Sequence, residues 1–268
     1  MNPAFAYIYD DFLSDRRLER EVSYIETELA RRGIEGRVMR LAMFRQPRDA
    51  IFEMAQAGIK NIVFVGNDLT LQKMMWFLPE LDITVGYLPL TQPTNIAKLL
   101  GIPIGPDAVD TLAARLIDTL DVGKINERYF LTDVVVPSTT ASVDVEGQYR
   151  ISPAAGGAIA IRNLGGLTDG DSACANPQDG YLEGIVQVKT EHASGLTFWK
   201  RAPLNESRFL LRHGAIQSEA PIELFVDSQS MKGTLFELSI LPRHMRFIVG
   251  KQKAWEKQKP SDGRQKGF

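Results

Sequence analysis

The chain has 268 residues, 44% hydrophobic and 24% charged, and its 31 basic against 33 acidic side chains leave a net charge of -2. That composition is globular and long enough for two modest cores, and the near-neutral balance excludes a global attraction to nucleic acid or anionic lipid. A single cysteine, Cys174, excludes an internal disulfide, and a charged stretch from Asp10 to Glu21 stands where a secretory leader needs an apolar run. No apolar run approaches the roughly 20 residues that span a bilayer. The expectation is a cytoplasmic protein without a transmembrane segment.

Ala6 to Tyr9 reads as a strand. Leu18, Val22, Ile25 and Leu29 then mark one face of a helix from Ser14 to Arg32, with Ser14 as N-cap and Gly33 as stop. Arg37 to Leu41 reads as the next strand, Pro47 to Ala57 as a helix opened by proline, and Asn61 to Val65 as a fully buried strand. Leu71 to Leu78 is helical, Ile83 to Leu88 extended, and Ile96 to Leu100 a short helix closed by Gly101. Pro106 opens a last helix with Val109, Leu112, Ala113 and Leu116 inward. This alternation predicts a three-layer α/β domain with a mostly parallel sheet over residues 1–122.

Beyond it, helical periodicity gives way to strand-like runs separated by Gly, Asp and Pro. These are Phe130 to Val136, Ala141 to Tyr149, Ala158 to Leu164, Leu182 to Lys189, Phe209 to His213, Ile222 to Val226, Thr234 to Ser239 and Met245 to Val249. They predict a β-rich, sandwich-like domain over residues 123–250. Residues 251–268, basic and without an apolar face, read as a mobile tail. Leu196, Phe198 and Trp199 beside Lys200 and Arg201 read as a strand edge or as a peripheral lipid contact, and His192, His213 and His244 have no metal-ligand spacing.

The sharpest local feature is the strand Asn61 to Val65 running into Gly66-Asn67-Asp68-Leu69-Thr70. The carboxyl ends of parallel strands bind ligands in α/β sheets, and a helix beginning there offers N–H groups to phosphate. The same residues are ordinary turn and capping types, with Asp68 or Thr70 capping the helix from Leu69. In a second loop, Thr91, Thr94 and Asn95 either hydrogen-bond a ligand or cap the helix near Ile96.

Gly66, Asp68 and Thr70 match the first glycine, aspartate and threonine of the GGDGT motif of diacylglycerol, sphingosine and NAD kinases, with Asn67 and Leu69 replacing two glycines. Pro89, Leu90, Ala97, Leu99 and Gly101-Ile102-Pro103 frame a segment similar to PLGTGNDFARxLGIP, its centre replaced by Thr91-Gln92-Pro93-Thr94-Asn95. The run Asn176 to Glu183 resembles P-x-x-x-D-G-x-L-D, and Asp227-Ser228-Gln229 stands where Asp-Gly-Glu is expected. In this order, from Ala6 to Val249, the chain resembles the diacylglycerol-kinase-like lipid kinase superfamily, as a divergent member.

The resemblance implies ATP and Mg²⁺ as cofactors, nucleotide contacts from Gly66, Asn67, Thr70, Thr91, Thr94 and Asn95, and catalytic positions at Asp68, Asp227 and Gln229. Departures fall on the chemistry. Gln229 is an amide where the base is a glutamate, Pro93 has no N–H, and Asp10-Asp11 replaces an Asn-Pro-x-Ser-Gly-type loop. The first hypothesis is ATP-dependent phosphorylation of a lipid or related hydroxyl compound in the interdomain cleft. The second is a catalytically impaired pseudokinase that binds nucleotide or lipid, and the third is an interaction module using the basic tail.

Overall fold

The computed structural model describes residues 5–43, 46–137, 140–153, 157–165, 174–188 and 205–258. His192, the grouping from Leu196 to Arg201 and the tail beyond Gln258 lie outside the described residues.

The first half runs β1 (Phe5–Tyr9), α1 (Glu19–Arg31), β2 (Arg37–Arg40), α2 (Pro47–Gln56), β3 (Asn61–Gly66), α3 (Asp68–Met75), β4 (Thr84–Pro89), α4 (Asn95–Leu99) and α5 (Ala108–Ala114). The strands pair in parallel in the order β2-β1-β3-β4. Every residue of β1, β3 and β4 is buried, as continuous apolar runs in a covered parallel sheet require. Helix α1 buries Val22, Ile25 and Leu29. It does not start at Ser14: the Asp15 carboxylate accepts the Arg17 N–H at 2.9 Å, which holds two tight turns ahead of Glu19. Helix α5 ends where Arg115 turns left-handed at φ 51°, so Leu116 is exposed rather than inward, and Ala113 lies on the exposed face of α5.

The second half comprises β5 (Ile117–Ile125), β6 (Arg128–Phe130), β7 (Asp133–Val136), β8 (Ser142–Val145), β9 (Tyr149–Ile151), β10 (Ala158–Arg162), β11 (Leu182–Val188), β12 (Asn205–Leu211), β13 (His213–Val226) and β14 (Gln229–Ile248). Strand β5 was not expected, and three expected strands divide, Phe209 to His213 among them, which breaks at Arg212 between β12 and β13. Phe130 to Val136 breaks into β6 and β7, and Ala141 to Tyr149 folds into a hairpin where Glu146 and Gly147 have φ of 55° and 65°, the mirror-image turn that matches strand twist. Other runs fuse, because ladder pairing carries β13 and β14 through polar residues that interrupt the apolar pattern.

Strand β14 is the spine. Its first part pairs with β13, while its end lies parallel to β4, with Arg246 opposite Thr84 and Phe247 opposite Val85, joining both halves into one 14-stranded mixed sheet. Two apolar cores result, one under β1, β3 and β4 and one built from residues such as Phe130, Ile161, Leu224 and Phe236. The chain returns to the first core at Met245 to Val249 and again at Trp255, 3% exposed. Residues 251–258 are therefore docked, against the expectation of mobility from Lys251, because one large apolar ring finds a place in the first core. No helix among the described residues is long and apolar enough to cross a membrane.

Candidate ligand cleft

Strand β3 delivers Gly66 to the amino end of α3, where Asn67 is the N-cap. Its Oδ1 accepts the Thr70 N–H at 3.3 Å and the Thr70 hydroxyl oxygen accepts the Asn67 N–H at 3.1 Å, a reciprocal capping box. The Thr70 hydroxyl proton is donated to Asp10 Oδ2 at 2.7 Å, at the end of β1, with Lys73 Nζ 3.6 Å from the same oxygen. A Cβ added to Gly66 would stand 2.3 Å from Thr70 Oγ1. The open side of the glycine is thus filled by threonine, and Gly66, Asn67 and Thr70 are engaged with one another and with Asp10.

Asp68, 1% exposed, does not cap the helix it begins. Its N–H donates to the Pro93 carbonyl at 2.9 Å, and its carboxylate accepts the Tyr87 hydroxyl and the Ile96 N–H, each at 3.0 Å. The amides of Asn95 and Ala97 add to this, so Asp68 closes the amino end of α4. Thr94, fully buried, occupies the N-cap position of α4 but gives it no side-chain bond, and its hydroxyl donates to Gln92 Oε1 at 3.1 Å. Thr91 and Asn95 are half-buried. The capping expected from Thr91, Thr94 or Asn95 is supplied instead from α3. Burial raises the Asp68 pKa above its usual value, partly offset by these donors, and burial with the neighbouring Asp68 pushes the Tyr87 phenol up. The two loops are further laced by Leu90 N–H to Gly66 O at 2.7 Å and Asn67 Nδ2 to Gln92 O at 3.2 Å.

The second half contributes the turn between β13 and β14, where Asp227 and Ser228 have φ of 44° and 67°. The buried Asp227 carboxylate accepts the N–H groups of Leu131 at 2.7 Å, Thr132 at 2.8 Å and Asp133 at 3.3 Å, and the Thr132 hydroxyl at 2.5 Å. Burial raises its pKa against the pull of those donors. Gln229 Nε2 makes a long contact of 3.5 Å with the backbone carbonyl of Gln72 on α3, and Gln72 Nε2 donates to Thr132 Oγ1 at 3.3 Å. The fold thus brings Asp227 and Gln229 to the middle of α3, one turn beyond Asp68. Gln72 was not singled out in the sequence. Its place four residues after Asp68, on the same helix face, is the signal that could have found it. Its Oε1 and the Oδ1 of Asn163 are buried acceptors with no partner among the described residues.

A magnesium triphosphate needs free backbone N–H groups for its phosphates and a carboxylate free to hold the metal. Here the N–H groups of Asp68, Thr70 and Ile96 already have protein acceptors, and Pro93 has none to give. The Asp10 carboxylate at the end of β1 is engaged by Thr70 and Lys73, and Leu69, 42% exposed, projects from a position where the motif has glycine. The residues present do not fit the triphosphate.

This is nonetheless the fold of the diacylglycerol kinases. A diacylglycerol kinase structure from Bacillus anthracis str. Sterne matches with a TM-score of 0.72 at 16% identity, covering 93% of this chain and 97% of that one. Two further structures from the same organism, provisionally given the same kinase name, match with TM-scores of 0.71 at 14% and 15% identity, covering 92% and 93% of this chain and 97% and 98% of theirs. No protein-family model and no curated protein matches the sequence. At such identities the likeness is one of fold.

Proposed function

We propose that this chain is a diacylglycerol-kinase-like binding protein with impaired phosphoryl transfer, holding a lipid or related hydroxyl compound in the cleft between its halves. The observation that carries this reading is at the β13–β14 turn. Phosphoryl transfer to an alcohol needs a carboxylate to take its proton. The Asp227 carboxylate there is committed to four protein donors, and the neighbouring candidate, Gln229, is an amide. A cytoplasmic setting and peripheral contact with a membrane go with this proposal.

One observation favours the second reading, ATP-dependent phosphorylation of that hydroxyl. Asp68 has a pKa raised by burial, the direction a general base needs, and kinases share the fold. To act, Asp68 would have to release the amino end of α4.

Calorimetry separates the two. Wild type and Asp68→Asn are titrated with ATP and Mg²⁺, then with dioleoylphosphatidylcholine vesicles containing dioleoylglycerol. Binding to the dioleoylglycerol vesicles without nucleotide binding is the expected result. Nucleotide binding that Asp68→Asn abolishes, followed by phosphate transfer to the vesicle lipid, would move the assignment to kinase. A folded protein that binds neither sinks both readings.

A further inference from the structure

We propose that residues 250–258 form a latch that ties the carboxyl end of α4 to the second half of the chain and lets go ahead of global unfolding, with Trp255 as its key. The inference rests on the docking of this segment and is independent of the ligand reading above.

Helix α4 follows the second cleft loop, and its amino end is tied to Asp68. Its carboxyl end is held by the latch. The Gly250 N–H donates to the Leu100 carbonyl at 2.9 Å. A Cβ on Gly250 would fall 1.7 Å from the Gly101 oxygen, and one on Gly101 would fall 2.6 Å from the Gln252 oxygen. The two backbones therefore touch, an approach open only to glycine.

From there the segment reaches the second half. The Trp255 ring is buried in the first core, and its indole N–H donates to Gln178 Oε1 at 3.3 Å. Gln178 in turn donates to the Thr119 carbonyl of β5 at 3.3 Å, just ahead of the Asp179-Gly180 turn. Lys253 Nζ, mostly buried, sits 2.7 Å from Asp118 and 2.8 Å from Glu256. Strand β14 ends at Ile248, so the latch breaks no sheet ladder when it lets go. Detachment would draw the Trp255 ring out of the first core, release the carboxyl end of α4 and untie the segment around Gln178 while the sheet ladders stay paired, the kind of sub-global opening that precedes full unfolding.

The chain carries its own reporter. Cys174 is its one cysteine and lies at the seam: a Cβ on Gly165 would be 3.1 Å from Cys174 Cβ and 3.4 Å from Leu99 Cδ1 of α4. The thiol is half-buried, and that burial raises its pKa, so it reacts slowly while the seam is closed.

The test measures the rate at which dithiobis(nitrobenzoate) labels Cys174 in the full chain, with hydrogen exchange of residues 95–101 beside it. Relative to wild type, Trp255→Ala is expected to label about tenfold faster and Lys253→Met a few-fold faster, with exchange rising in α4 while β1 and β3 stay protected. Should Trp255→Ala fail to fold, Trp255→Phe and Gln178→Leu, which remove the indole–amide bond and keep most of the bulk, are expected to label about two- to fivefold faster. Unchanged labelling in the folded variants overturns the proposal. So does a loss of protection that extends equally into β1 and β3, since Trp255 would then serve global stability alone.

Discussion

The carboxylate of Asp68 receives the backbone N–H of Ile96 at 3.0 Å, so the first residue of α3 closes the first turn of α4. A side chain whose motif position points to a ligand is here a joint between the two cleft loops. Tyr87, from the intervening strand, completes it at 3.0 Å.

Replacing Asp68 with alanine leaves the Tyr87 hydroxyl and the α4 amides without their acceptor. The expected loss is about 2–4 kcal/mol, measured by urea unfolding, and Asp68→Asn should lose less because one acceptor oxygen remains. A variant as stable as wild type would show that the joint carries no load.

The same pair tests the ionisation. Burial raises the Asp68 pKa above its ordinary 3.8, so the folded chain holds this proton at a pH where the unfolded chain has released it. Proton binding then favours the native state, and its contribution is lost as pH rises from about 4 through the raised pKa. The stability of wild type relative to Asp68→Asn should fall across that window and stay level above it. A relative stability that climbs with pH would mean that the amide donors outweigh burial.

At the β13–β14 turn, Asp227→Asn turns an amide NH₂ toward groups that are themselves donors. Chemical denaturation should show a loss of about 2–4 kcal/mol. Near-wild-type stability would instead free Asp227 for ligand chemistry and weaken the binding-protein reading.

Ser228 sits beside Asp227 at φ 67°, a left-handed conformation that costs a side chain about 1–2 kcal/mol and glycine little. Ser228→Gly should therefore stabilise the protein by about 0.5–1 kcal/mol, after the larger entropy of the unfolded chain is subtracted. A thermal melt that falls would argue against the mirror-image turn.

Gly66→Ala drives a methyl to within 2.3 Å of Thr70 Oγ1 and should cost about 1–3 kcal/mol. In a Thr70→Ala background the added cost should shrink by about 1 kcal/mol, because the clashing atom is gone. Equal costs in both backgrounds would place the clash elsewhere.

Much of the fold is legible locally. The stripe Val22, Ile25 and Leu29 buries as its spacing requires, and the apolar runs of β3 and β4 have no exposed residue. The left-handed turn at Arg115 and the fusion of short runs into β13 and β14 were not legible, since chain direction and ladder length depend on neighbouring strands. In the cleft, the turn after β3 was legible as a place. Its chemistry was not, because Asp10, Thr70 and Gln72 acquire their meaning from residues distant in the chain.

What the sequence by itself determined is the β/α alternation, the strand-rich character of the second half and the turn residues that end β3. All of these follow from backbone preferences and apolar periodicity within a few residues. Only the tertiary structure decided which acceptor each donor finds. Asp68 meets Ile96, Asp227 meets the backbone at Leu131 to Asp133, and Trp255 comes back to the first core. The reason is physical: a buried hydrogen bond or ring is satisfied by whatever the packed chain places within about 3–4 Å, and that distance carries no trace in local spacing.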